Sequence, residues 1–310
     1  MKKPTPKIYR TTNWSSYNQA LIKRGNISIW FDPKTQWYAQ PQGKQGRNQT
    51  YSDTAIQCCL MIKSLFRLSL RMVTGFVQSL IKLCGLNWTA PDYSTLCRRQ
   101  KHIDIAISYQ KSRDGLHLLV DSTGLKFLGE GEWKRKKHQP EYRRQWRKLH
   151  IGIDAETLQI RAVQLTTNNV SDSQVLGDLL DQIPLDERID SVYTDGAYDT
   201  KCCRQVISDR QAHAVIPPRK NAKPWKDSKI SSIERNELLQ TVKHLGRTLW
   251  KKWSGYHRRS LVETKMHCIK LLGDKLMARS FPSQVNEIHA RVAVLNRFTE
   301  LGRPLTQVTP

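Results

Sequence analysis

The chain has 310 residues, enough to bury a sizeable core in one large domain with a smaller one. Its 51 lysine and arginine residues against 27 acidic residues give a formal net charge of +24, which favours nucleic acid as a partner. The apolar runs fall short of the roughly 20 residues that span a bilayer, and the basic start lacks the apolar stretch of a signal peptide. Seven cysteines without a CxxC pair argue against a disulfide framework or a structural zinc site. We therefore expect a cytoplasmic protein with no membrane partner.

The first fifty residues are predicted to form a basic arm, with nine lysine or arginine residues and one acid, Asp32. Trp14, Trp30 and Trp37 are spread through it, so part of the arm is expected either to pack or to contact DNA. Proline, glycine, asparagine and glutamine crowd residues 40–50, which is typical of a linker or an exposed arm.

Residues 51–110 predict a small all-α domain of three short helices. Ser52 or Asp53 can cap the first helix, Ser69 the second, and Asp92 stands at the start of the third. The third helix is polar and basic, which favours a helix-turn-helix-like DNA-binding segment over a packing unit without DNA contacts, the alternative. Its candidate DNA contacts are Tyr93, Ser94, Thr95, Arg98 and Arg99.

From residue 111 to residue 310 the pattern is that of an α/β domain. The predicted strands are 116–120, 148–154, 160–166, 189–194 and 214–217, with helices after Ser171 and near 200–209. Three consecutive strands, then alternating helices and strands, predict a mixed five-stranded sheet with helices on both faces.

Two aspartates follow apolar runs. Asp121 and Asp195 are each expected to end a strand and to be followed by a turn within three residues. Ligands bind at strand ends of α/β sheets, although an aspartate there often only caps a helix or makes a turn.

A later segment, 256–270, predicts one amphipathic helix that carries an isolated glutamate. Four side chains share a sector of roughly 60° on this helix, a pattern that a solvated charged face would also give. They are Tyr256, Arg259, Glu263 and Lys270.

Three carboxylates that converge in a basic groove need a cation between them. Asp121, Asp195 and Glu263 offer the hard oxygen ligands that Mg²⁺ or Mn²⁺ prefers. Two such ions about 4 Å apart can hold the attacking and leaving oxygens of a phosphoryl transfer.

The gaps in this segment match the signature Y-(2)-R-(3)-E-(6)-K at Tyr256, Arg259, Glu263 and Lys270. The chain resembles, over essentially its whole length, the DDE transposases of bacterial insertion sequences, and is most similar to the insertion sequence 5 family. The resemblance implies an RNase H-like catalytic core. In that core Asp121, Asp195 and Glu263 hold two metal ions, while the other three signature residues position DNA or the glutamate helix.

The resemblance also implies that a basic insertion, about 219–255, contacts the transposon ends. Trp225, Trp250 and Trp253 could stack on bases there, or could only fasten the insertion to the core. A basic run between the first two strands is expected to contact the DNA backbone, with a solvated hairpin as the alternative. Its candidate contacts are Lys134, Arg135, Lys136 and Lys137.

The function expected from the resemblance is that of a nucleoid-associated transposase. It would bind terminal inverted repeats as a homo-oligomer in a synaptic complex, cleave at the element ends and join the 3′-OH groups to target DNA. One alternative is an RNase H-like nuclease without strand transfer. The other is an element-derived DNA-binding protein without catalysis.

Overall fold

The computed structural model describes residues 9–41, 48–112, 114–127 and 146–308. The chain divides into two compact units: Met1–Ser108 together with Ala293–Pro310, and Tyr109–Val292. The boundaries predicted at 50 and 110 separate the arm from the helices and assign residues 111–310 to the α/β domain. Four predicted DNA contacts, at 134–137, lie outside the described residues.

The helices of the first unit are α1 (Trp14–Arg24), α2 (Asp53–Phe66), α3 (Leu70–Leu83) and α4 (Tyr93–Arg99). Three of them, α2, α3 and α4, begin where side-chain capping predicts. The Ser52 hydroxyl accepts a hydrogen bond from the Ala55 amide, and the Asp92 carboxylate accepts one from the Ser94 amide. Each cap satisfies an amide that the first turn of a helix leaves without a partner. The three predicted helices are confirmed.

Two of the three tryptophans of the basic arm pack within the first unit. The Trp37 and Trp88 rings stack with their centroids 4.7 Å apart, and the Trp30 ring meets Phe298 edge-on at 5.4 Å. Trp30 and Trp37 therefore pack, whereas Trp14 is exposed. The arm also supplies strand β1 (Tyr9–Thr11), which pairs with β8 (Thr306–Val308), so this unit is not purely helical.

The second unit is built on a mixed sheet. Its strands are β2 (Leu116–Phe127), β3 (Trp146–Asp154), β4 (Ile160–Thr167), β5 (Ile189–Tyr193), β6 (His213–Val215) and β7 (Lys275–Leu276). The order is β4-β3-β2-β5-β6. Strand β3 is antiparallel to both neighbours, β5 and β6 run parallel to β2, and β7 pairs with the end of β2. The mixed sheet is confirmed, with six strands in the described ranges rather than five, and is consistent with an RNase H-like core.

Helices cover both faces of this sheet. Helices α5 (Asp172–Asp181) and α6 (Lys201–Asp209) share a buried core with Leu118 and Val120 of β2. Successive side chains of a strand point to opposite faces, so Asp121 belongs to the other face. There α9 (Ser260–Leu272) lies against β2 and β3 and buries one apolar stripe. The stripe consists of Val262, Met266 and Ile269.

The prediction that the first strand ends at Asp121 is wrong. Strand β2 continues to Phe127 because β3 supports it: Asp121 is paired with Ile151, and the ladder runs on to Lys126 and Trp146. The polar residues after Asp121 resemble a turn in the sequence, but the neighbouring strand keeps them extended. At the second aspartate the prediction is confirmed, because β5 ends at Tyr193 and a turn follows directly.

The basic insertion contains two helices, α7 (Ile230–Leu245) and α8 (Arg247–Trp253), and a long helix α10 (Phe281–Leu301) follows α9. Buried ion pairs join α7 to α6 and to the turn after β5. The Asp199 carboxylate lies 2.9 Å from Arg204 and 3.2 Å from Arg235, and all three side chains are nearly fully buried. No helix in the described ranges is both long and apolar enough to cross a bilayer.

Candidate active site

The two aspartates flank the end of strand β5. The last pair between β2 and β5 joins Leu119 to Tyr193, so Asp121 stands just beyond the point where β5 leaves the sheet. Asp195 follows β5 by two residues, and its carboxylate accepts a hydrogen bond from the Ala197 amide at 2.8 Å. The side chain thereby caps a 3₁₀ turn, Gly196–Tyr198, which fixes Asp195 just after the end of β5.

The glutamate helix differs from its prediction. Residues Tyr256–Arg259 form a separate 3₁₀ turn, and the α-helix begins only at Ser260. Gly255 precedes the turn with φ of +66°, a left-handed conformation that glycine adopts without steric cost. The prediction of a single α-helix over 256–270 is therefore wrong in its first turn, which is a 3₁₀ turn.

Arg259 joins two of the predicted acids. Its Nη1 atom lies 2.5 Å from the Asp121 Oδ2 atom, and its Nη2 atom lies 2.6 Å from the Glu263 Oε1 atom. Arg259 stands directly before α9 and Glu263 lies in its first turn, so the two side chains share one face. The Asp121 side chain is 16% exposed and that of Glu263 is 55% exposed. The structure thus brings a strand carboxylate and a helix carboxylate to one guanidinium.

The other two signature residues surround this bridge. The Tyr256 ring packs 5.7 Å from the buried Trp250 ring, with the Arg259 guanidinium 6.0 Å from its centroid. Lys270 donates a hydrogen bond from Nζ to Thr123 Oγ1 at 2.7 Å. Thr123 has the same strand parity as Asp121 and therefore lies on the same sheet face. Thr123 could not be predicted as a neighbour of Asp121, because the predicted strand ends at residue 120 and β2 continues to Phe127.

The pKa values of two groups at this end of the sheet are raised, in part by neighbouring carboxylates. Burial raises the pKa of the Asp121 carboxyl above its ordinary value, and the Asp195 carboxylate adds to the rise although Arg259 opposes it. Burial also raises the pKa of the buried Tyr198 phenol, and the charges of Asp172, Asp121 and Asp195 raise it further. Several carboxylates therefore share a small region, and a cation there would relieve their repulsion.

The donor chemistry and the charge fit a hard divalent cation. Asp121, Asp195 and Glu263 supply only carboxylate oxygens, the ligands that Mg²⁺ and Mn²⁺ prefer. Within the described ranges, no three acidic, histidine or cysteine side chains are close enough to hold an ion as they stand. Arg259 instead lies between two of the acids, in a position that a cation would need.

Comparison with protein families agrees with this geometry. Two family models, both described as a transposase DDE domain, match residues 22–130 and 112–297. The second match covers more than half of the chain and includes both aspartates and the whole signature segment. The chain belongs to the DDE transposase family. Membership implies a metal-dependent phosphoryl-transfer enzyme, and such transposases normally use divalent metal ions.

The predicted DNA contacts on α4 of the transposase differ in their exposure. On α4, Tyr93, Ser94 and Arg98 are exposed, and Thr95 is half-buried. Arg99 differs, because it donates a hydrogen bond to the Tyr51 carbonyl oxygen at 2.9 Å and forms an ion pair with Asp53. The Arg99 side chain is thus engaged inside its own unit, where it ties α4 to the start of α2.

The tryptophans of the insertion also separate into two groups. Trp250 is buried, and the half-buried Trp225 ring lies 4.5 Å from the Arg235 guanidinium. Both therefore pack within the transposase. Trp253 is 79% exposed at the end of α8, close in sequence to Tyr256, and remains a candidate for base stacking.

Proposed function

We propose that this transposase binds the terminal inverted repeats of its own insertion sequence and cleaves the DNA at both ends by hydrolysis. It then joins the freed 3′-OH ends to target DNA. The observation that carries the proposal is the single guanidinium shared by Asp121 and Glu263, with the Asp195 carboxylate near enough to raise the pKa of Asp121. These acids come from within a strand, from the turn after another strand and from a late helix. Membership of the insertion sequence 5 family is part of the proposal.

Asp121, Asp195 and Glu263 would hold two Mg²⁺ or Mn²⁺ ions. When bound, such ions activate water or a 3′-OH as a nucleophile and neutralise charge on the reacting phosphate. The chain itself contributes rigidity. Strand β3 pairs with β2 on both sides of Asp121 in sequence, from Leu118 to Lys126, and the Lys270 to Thr123 hydrogen bond fastens the glutamate helix to β2 near Asp121.

We assign DNA binding to basic and aromatic groups of both units. Formal net charge of +24 supplies the attraction to phosphates, and α4 offers its exposed Arg98 as a contact in a helix-turn-helix-like segment. Trp253, exposed beside Lys252, is proposed to stack on a base at the transposon end. We place the active species in a homo-oligomeric synaptic complex, in the cytoplasm and on the nucleoid.

The test is incubation of the purified transposase with oligonucleotides that carry the element's own ends, together with Mg²⁺ and a plasmid target. The expected products are oligonucleotides joined through their 3′ ends to the plasmid. Cleaved but unjoined ends would show a nuclease. Bound but intact ends would show a DNA-binding protein without catalysis, and either result would overturn the proposal.

A further inference from the structure

The two terminal nitrogens of Arg259 each contact a different acid. The contacts are 2.5 Å to Asp121 and 2.6 Å to Glu263, and the Arg259 side chain is only 19% exposed. Charge-assisted contacts are stronger than neutral hydrogen bonds, and burial strengthens the contact to Asp121 more than the contact to Glu263, whose side chain is 55% exposed. The Arg259 guanidinium also lies 6.0 Å from the centroid of the Tyr256 ring. The contact to Asp121 is therefore the stronger part of the bridge.

This bridge competes with a bound ion for the same two oxygen atoms, Oδ2 of Asp121 and Oε1 of Glu263. In the present state the guanidinium lies between the Asp121 and Glu263 oxygens and takes up a lone pair of each. A divalent ion at the same place would also be repelled by the arginine charge.

We propose that Arg259 is an internal counter-cation. It holds Asp121 and Glu263 together in the metal-free transposase, and an incoming divalent ion displaces it. The inference rests on the proposed function, since it takes the same acids as metal ligands. Displacement replaces one positive charge by two and frees the guanidinium. The guanidinium is then available to contact DNA, a role that the resemblance already implies. Metal loading and release of Arg259 are therefore one event.

The bridge lowers the apparent affinity for metal. Apparent affinity is the intrinsic affinity multiplied by the fraction of molecules in the competent state. If the bridge is formed in about nine molecules of ten, its removal tightens the apparent dissociation constant about tenfold. Substitution of Arg259 also removes a positive charge near the site, which by itself favours cation binding. A control variant must measure this electrostatic contribution separately.

Arg258 supplies that control. It is adjacent in the same turn, is exposed, and loses the same charge on substitution by glutamine. The experiment is calorimetric titration of Ca²⁺ into the full chain, without DNA, for wild type, Arg259→Gln and Arg258→Gln. We expect Arg259→Gln to bind about tenfold more tightly than wild type and Arg258→Gln to differ by less than about twofold. Equal affinities of the three proteins, or weaker binding by Arg259→Gln, would overturn the inference.

A triple variant separates this inference from the proposed function. If Asp121→Ala, Asp195→Ala and Glu263→Ala together leave Ca²⁺ binding unchanged, the acids do not form the metal site and the proposed function fails. If the triple variant loses the binding while Arg259→Gln gains none, only the counter-cation is wrong. A crystal structure of the wild type with Ca²⁺ gives a second test that needs no variant. It should show the Arg259 guanidinium withdrawn from both carboxylates, and retention of both contacts beside a bound ion would contradict the proposal.

Discussion

Two neighbouring arginines of α4 should behave in opposite ways when changed to alanine. Arg99 donates to the Tyr51 carbonyl oxygen and pairs with Asp53, and its own side chain is 15% exposed. A hydrogen bond from a charged donor contributes about 1.5–3 kcal/mol, while an ion pair whose partner is as exposed as Asp53 adds at most about 1 kcal/mol. We expect Arg99→Ala to lower the free energy of unfolding of the first unit by about 2 kcal/mol. Arg98→Ala should change it by less than about 0.5 kcal/mol, because Arg98 is exposed.

DNA binding should show the reverse order. Removal of one phosphate contact lowers the slope of log affinity against log salt by about 0.9. We expect this change for Arg98→Ala and none for Arg99→Ala, as measured by fluorescence anisotropy with the element's ends. Amide hydrogen exchange in α2 and α4 would report stability on the same samples. Equal destabilisation by the two substitutions, or a lowered salt slope for Arg99→Ala alone, would refute the reasoning.

Three further changes test other parts of the structure. Asp121→Asn should gain stability relative to wild type as the pH rises through the raised pKa of Asp121, because burial makes ionisation of that carboxyl cost stability in wild type only. Thermal melts of both proteins over that pH range check this, and a difference in melting temperature that does not change with pH would contradict it. Gly255→Ala should lower the free energy of unfolding in urea by about 1–2 kcal/mol because of its φ of +66°. Steric contact adds nothing, since the nearest atoms to the added carbon lie 3.9 Å away. An unchanged free energy of unfolding would mean that the turn relaxes. Trp253→Ala should leave stability within about 0.5 kcal/mol and weaken end binding by about 1–3 kcal/mol, whereas the opposite pattern would assign it to packing.

The local features of the fold could be predicted from the sequence. Helix starts at Ser52 and Asp92 were predictable because a capping side chain and the amide it accepts from are two or three residues apart. The order of strands and helices predicted a mixed sheet, since three consecutive strands favour antiparallel pairing and a later strand after a helix favours parallel pairing.

Features that depend on distant partners could not be predicted in this way. The length of β2 depends on β3, which holds the polar residues after Asp121 in an extended ladder. The Trp37 and Trp88 stack packs part of the basic arm, where the sequence left packing and DNA contact as alternatives. In both cases a nonlocal contact, and not the local preference of the chain, decides the structure.

The candidate site was predicted in its members but not in its contacts. Signature spacing identified Arg259 and Glu263, whose proximity follows from a separation of four residues. The contact between Arg259 and Asp121 joins residues 138 apart, so only the fold could show it. Lys270 and Thr123 form a second contact of the same kind.

The most direct test of the central claim, that Asp121, Asp195 and Glu263 form the cleavage site, is the rate of Mg²⁺-dependent cleavage at an element end by Glu263→Gln. The exposed Glu237→Gln on α7 is the matched control for the same chemical change. Loss of a residue that only supports a metal ligand costs about 10–100-fold, so loss of a ligand should reduce cleavage at least about 100-fold. End binding should stay within about threefold of wild type, because the substitution changes charge and little shape. Glu237→Gln should cleave at the wild-type rate, and cleavage by Glu263→Gln at that same rate would contradict the account.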